Sequence, residues 1–190
     1  MTKHSHIEIT VSAGACITGC LFILLVPLDF TVSFFLAAAI HEIGHILMLF
    51  LFHVPVWCIC IETSGASIQT APLDLKEELF CAAAGPVASF LCLLLIRKFP
   101  LLSICALIQG SFNLLPVYPM DGGRILRCCC FLFCPRYAAT ICKVIKIVCI
   151  AIIFGLCILF FFRSSAPISL FIAFYFLIQT SKTPCKEHQY

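Results

Sequence analysis

The sequence predicts an all-α polytopic membrane protein with about six transmembrane helices and a membrane-associated β-hairpin between the second and third. Three observations carry that expectation. Hydrophobic residues make up 62% of the 190 and charged residues only 11%, with a mean hydropathy of +1.12, far from the balance of a water-soluble domain. The apolar residues fall into runs near the ~20 residues that cross a hydrocarbon layer ~30 Å thick. Between the second and third runs the pattern switches to an alternation of period two. Spans of this number leave room for little else, so residues 1–190 read as a single transmembrane domain. The formal charge of +3 is spread along the chain, and no nucleic-acid partner is expected.

In chain order, Met1 to Thr10 lacks the long apolar core and cleavage-site pattern of a removed signal peptide. The first span covers about Ser12 to Val26 and is closed by Pro27-Leu28-Asp29. The second, Thr31 to Phe52, contains Ala37-Ala38-Ala39, a narrow face against which another helix can come close. From His53 to Glu78 the helical pattern lapses. Trp57, Ile59 and Ile61 alternate with Cys58, Cys60 and Glu62, Ser64-Gly65 offers a turn, and Ala66 to Thr70 returns as a second strand. Such a hairpin either borders a site and offers its edge to an extended peptide or is an ordinary surface hairpin.

Leu73 to Glu78 caps the third span, with acidic groups in the first turn where the helix dipole favours them. That span, Leu79 to Ile96, carries Ala82-Ala83-Ala84-Gly85-Pro86, small residues for close approach followed by a break in the hydrogen-bond ladder. The fourth, Leu101 to about Leu115, runs into Pro116 and Pro119, which cannot continue a regular helix. A basic stretch precedes a fifth span at Val144 to Phe162, and a sixth covers Pro167 to Ile178. With both termini in the cytoplasm, nine of the 12 Lys and Arg residues fall inside, as the positive-inside bias requires. The 15 cysteines are odd in number and lie mostly in apolar runs, where they act as small buried hydrophobes. Neither Cys58-Ile59-Cys60 nor the group Cys128, Cys129, Cys130 and Cys134 has structural-zinc spacing, so packing or palmitoylation is the expectation there.

The chemistry concentrates in His41-Glu42-Ile43-Gly44-His45, inside the second span. On a helix, His41 and His45 stand one turn apart on one face and can grip one metal ion. Glu42 is offset by about 100°, close to the metal yet free to handle a proton. A carboxylate in mid-membrane costs ~2.5–3.5 kcal/mol on insertion scales, so this cluster reads as functional. Catalytic zinc takes three protein ligands and leaves one position open. Glu62, Asp74, Glu77 and Glu78 lie in polar sequence, whereas Asp121 is set in an apolar, irregular segment, with Gly122-Gly123 allowing close approach. Asp121 is therefore the expected third ligand, and Glu42 the general base. Asn113 either holds the substrate backbone or a developing oxyanion, or makes a helix-to-helix hydrogen bond. Arg124 is read as an interfacial anchor.

His41-Glu42-x-x-His45 in an apolar run, Gly85-Pro86 in the next, and Asn113-x-x-Pro116-x-x-Pro119-x-Asp121-Gly122 after it resemble the site-2 protease family of intramembrane zinc metalloproteases. The resemblance covers about Thr31 to Leu126, a core of 31–126. It implies one zinc ion per chain, a membrane-associated protein substrate, and a regulatory membrane partner or homo-oligomer. The Leu75-Lys76-Glu77-Glu78 lead-in and the absence of an inserted PDZ domain look like the bacterial stage IV sporulation protein FB branch. That branch implies a bacterial cytoplasmic or forespore-surrounding membrane and cleavage of a sigma-factor precursor; its usual CBS domain is not in this sequence. Ser89 stands where many relatives have Asn or His, and no polar role is assigned to it.

Overall fold

The computed structural model describes residues 8–62 and 65–164. It divides into two compact units, Met1–Asn113 and Leu114–Tyr190. In the first, strand β1 (Glu8–Val11) leads into helix α1 (Ala13–Leu25), followed by α2 (Leu28–Leu51), β2 (Val56–Glu62), β3 (Gly65–Thr70), α3 (Leu75–Leu91), a 3-10 turn at Cys92–Leu95, and α4 (Pro100–Asn113). Among the described residues, three helical stretches are long and apolar enough to cross a membrane: Leu28–Leu51, Leu75–Leu95 and Ala138–Leu156. Helices α1 and α4, expected as spans, have 13 and 14 residues, or about 20 Å each, and fall short of that length. The expected sixth span lies outside the described residues.

Local chemistry explains the helix starts. The Ser12 hydroxyl accepts a hydrogen bond from the Ala15 amide at 3.2 Å, capping α1. Pro27 precedes α2, and Asp29 sits in its first turn. At α3, the Glu77 carboxylate accepts from the Asp74 amide at 3.0 Å, half of a capping box. This cap starts α3 at Leu75, four residues before the expected span, because Lys76, Glu77 and Glu78 are good first-turn residues despite their polarity.

The three helices α2, α3 and α4 pack on small residues. Buried positions on α2 include Ala37, His41, Gly44 and His45, a stripe at helical spacing. On α3 they are Cys81, Ala82, Gly85, Pro86 and Ser89, and on α4 Leu102, Ser103, Cys105, Ala106 and Gly110. Of the expected Ala37-Ala38-Ala39 face only Ala37 is fully buried, since consecutive residues point about 100° apart. At Gly44 a Cβ would lie 2.6 Å from the Ala84 carbonyl oxygen, so the missing side chain sets how closely α2 and α3 approach. The Ser103 hydroxyl donates to the Cys92 carbonyl at 2.7 Å, satisfying a polar group in this apolar core.

The hairpin forms, but as part of a three-stranded sheet of order β1-β2-β3. Strand β1 runs parallel to β2 and β3 antiparallel to it. The extra strand comes from the polar N-terminal stretch, whose Glu8-Ile9-Thr10-Val11 carries the same alternation as β2 in too short a run to stand out.

In the second unit, residues 114–120 have no regular structure, as Pro116 and Pro119 require. Helix α5 (Asp121–Phe133) follows, then α6 (Ala138–Ser164), which contains the expected fifth span. Helix α5 was not expected. Its mixture of arginines, cysteines and two leading glycines hides the helical pattern, and Asp121 opens the helix instead of ending an irregular segment.

Candidate metal centre

The residues of the first unit build half of a metal site around two imidazoles. His41 and His45 are 4% and 8% exposed, and their Nε2 atoms lie 3.2 Å apart. Each ring is held from behind. His45 Nδ1 donates to the Cys81 carbonyl at 2.7 Å, since a carbonyl can only accept. That bond selects the tautomer whose Nε2 carries a lone pair instead of a hydrogen. His41 Nδ1 lies 2.9 Å from the Ser89 hydroxyl, which is wholly buried. With Nδ1 donating to that hydroxyl, the second ring also turns a lone pair inward.

Two imidazole nitrogens turned toward one point in this way make a donor pair for a cation. Zinc–nitrogen bonds of about 2.05 Å at a tetrahedral angle hold the two nitrogens about 3.3 Å apart, close to the observed separation. The donor pair and its spacing therefore fit a zinc ion. Room for one is left by Gly85: a Cβ there would lie 2.8 Å from His41 Nε2 and closer still to His45 Nε2 and Cε1. Cys81, Gly85 and Ser89 recur at intervals of four, so one face of α3 presents an acceptor, a gap and a hydroxyl to the two rings. Pro86, buried beside Gly85, has no amide hydrogen for the Ala82 carbonyl, which loosens the ladder in this turn.

Glu42, half-buried, is the next residue on α2 and projects about 100° from His41. At the end of α4, the Asn113 amide nitrogen lies 3.4 Å from His41 Nε2. This places Asn113 at the mouth of the donor pair. Ser89 is the residue to which sequence reading assigned no polar role. The signal was available in its spacing from Gly85 and Cys81, but a serine in an apolar helix has no distinguishing neighbours in one dimension.

Asp121 belongs to the second unit, where it opens α5 and is 7% exposed. Its place is set by the two glycines after it. A Cβ on Gly122 would collide with the Leu114 carbonyl and come within 2.6 Å of the Leu115 carbonyl oxygen; one on Gly123 would lie 2.6 Å from the Val117 carbonyl carbon. The irregular segment thus folds back onto the first turn of α5, at a distance only glycine allows. Arg124 Nη1 lies 3.8 Å from Asp121 Oδ1, so its guanidinium faces the acid one turn away.

No family model matches the chain. Over 135 residues it is 32% identical to zinc metalloprotease MJ0392 of Methanocaldococcus jannaschii, an alignment covering 64% of this chain and 37% of that protein. The chain thus spans little more than a third of that relative's length. Among solved structures, the site-2 protease from Methanocaldococcus jannaschii matches with a TM-score of 0.63 and 22% identity, covering 95% of this chain and 92% of that one. At that identity the likeness is one of architecture: the chain has a fold similar to that of a site-2 protease.

Proposed function

We propose that this protein is an intramembrane zinc metalloprotease that hydrolyses a peptide bond in or near the membrane. The observation that carries the proposal is the pair of back-braced imidazoles with Nε2 atoms 3.2 Å apart, inside a helix long and apolar enough to cross a bilayer. The name and fold of the two relatives agree with it. On the sequence resemblance, His41, His45 and Asp121 would hold one zinc ion per chain, two neutral donors and one anionic, as in catalytic zinc sites with three protein ligands. Bound zinc lowers the pKa of a coordinated water to about 7 and polarises a carbonyl.

The chain's own groups do the rest. Glu42 takes a proton from the attacking water and delivers it to the departing amine. Ser89 and the Cys81 carbonyl fix the two rings, so neither has to reorient during turnover. Asn113 donates its amide hydrogens to the substrate carbonyl. Pro116, Pro119 and Gly122 shape the segment that presents Asp121, and Gly85 with Pro86 keeps the floor of the site open.

The substrate is a membrane-associated protein. Regulated cleavage of a sigma-factor precursor in a bacterial membrane, with both termini in the cytoplasm, is the finer form of the proposal and rests on the sequence resemblance. Replacement of Glu42 by Gln tests the function. The variant should keep its zinc, measured by elemental analysis, while a membrane-protein precursor accumulates in quantitative comparison with wild-type membranes. A chain that binds zinc yet shows the same membrane proteome with either residue is a silent homologue with a regulatory or scaffolding role, and the proposal fails.

A further inference from the structure

The small sheet has two unlike faces. Ile9, Val11, Ile59 and Ile61 stand on one side, and the residues between them, Thr10, Cys58 and Cys60, stand on the other. Cys58 and Cys60, two apart on the central strand, bring their sulfur atoms to 3.4 Å. Both are half-buried and lie outside the helices long enough to span a membrane.

Their neighbours distinguish the two thiols. Gln69 on β3 places its amide nitrogen 3.6 Å from Cys60 Sγ, and an amide NH2 can only donate. The Cys58 thiol, 3.8 Å from the Thr10 hydroxyl, is the other group in contact with that sulfur. Its hydrogen bond with Cys60, and then burial, raise the Cys58 pKa above the ordinary thiol range. Gln69 thus donates to Cys60, and Cys58 lies against the same sulfur, so the two thiols are distinguished by the fixed amide donor that only Cys60 has among these contacts.

We propose that Cys58 and Cys60 form a dithiol site for thiol–disulfide exchange, with Cys60 as the attacking thiolate, Cys58 as the resolving thiol, and a low-molecular-weight disulfide as co-reactant. The Cys60 thiolate attacks one sulfur of the external disulfide, forming a mixed disulfide and releasing one thiolate. Cys58 loses its proton and attacks the Cys60 sulfur, expelling the second thiolate and closing the internal disulfide. Two protein thiols and one external disulfide become one protein disulfide and two external thiols; the protein gives up two electrons and two protons, and the reagent takes both. Residues two apart on a strand have Cα atoms about 6.6–6.8 Å apart, at the upper edge of what a disulfide accommodates. The bond is thus strained and readily reduced, which suits a reversible modification.

The test uses reduced, full-length protein in detergent and oxidised glutathione as the probe. Cysteines are trapped over time by differential alkylation and mapped by mass spectrometry. Wild type should form the Cys58–Cys60 disulfide and retain almost no glutathione at either residue. Cys58→Ser should accumulate glutathione on Cys60, while Cys60→Ser should be modified at Cys58 several-fold more slowly, since Cys58 lacks the Gln69 amide donor. Glutathione retained on both cysteines of wild type, pairing of either with another cysteine, or equal rates in the two variants would overturn the proposal.

Discussion

Gly85→Ala is the sharpest probe of the metal centre. The added methyl would sit 2.8 Å from His41 Nε2 and nearer to His45 Nε2, in the gap toward which both rings turn their lone pairs. The rings can yield only by swinging away, and each is tied at Nδ1, to Cys81 at 2.7 Å and to Ser89 at 2.9 Å. Breaking those two bonds costs about 1–3 kcal/mol together. Alanine recovers about 0.8–1 kcal/mol of helix propensity at this position on α3. The metal-free protein should therefore lose at most about 2 kcal/mol of stability. The displaced rings lose the bonds that orient them for a metal, so zinc affinity should fall about 10- to 100-fold. Competition with a chelator of known zinc affinity measures this, with thermal unfolding of the metal-free form as the control. Gly85→Ala protein that binds zinc as tightly as wild type would show that the Nε2 atoms do not face a metal, and the reasoning behind the site would fall with it.

Other perturbations separate the parts of the site. Ser89→Ala removes the partner of His41 Nδ1 and should weaken zinc binding roughly 10- to 100-fold while leaving the fold intact, read in the same competition assay. Chelation of zinc should lower the unfolding temperature, and zinc restored at 100 times its Kd should return about 2.7 kcal/mol. Gly122→Ala forces a methyl onto the Leu114 and Leu115 carbonyls and should destabilise the protein by about 1–3 kcal/mol or more, visible as a lower unfolding temperature even without metal. Glu77→Ala, which removes the side chain bonded to the Asp74 amide, should cost about 1 kcal/mol and leave zinc affinity unchanged.

Much of the molecule is legible in one dimension because its signals are local. Apolar runs mark α2, α3 and α6, since burial of backbone in an apolar medium demands uninterrupted helix. The alternation from Trp57 to Ile61 marks a strand. His41 and His45 are visible because four residues is one helical turn, a relation that survives whatever the helix packs against. Helix α5 was not legible, since Gly122 and Gly123 read as turn residues; they are helical because only glycine lets the Leu114–Tyr118 segment lie against that turn. Strand β1 escaped notice because four residues carry too little pattern, and it exists by pairing with β2 from 50 positions away, as Glu8 with Cys58.

The sequence by itself determined that the chain is built of apolar helices and that two imidazoles and a carboxylate share one of them, because hydropathy and the 3.6-residue period act between near neighbours. Only the tertiary structure decided that Ser89 braces His41, that a main-chain carbonyl at Cys81 sets the His45 tautomer, and that Gly85 leaves the gap between the rings. These are relations between α2 and α3, set by how closely Gly44 lets the helices approach, and an interhelical distance leaves no periodicity along the chain.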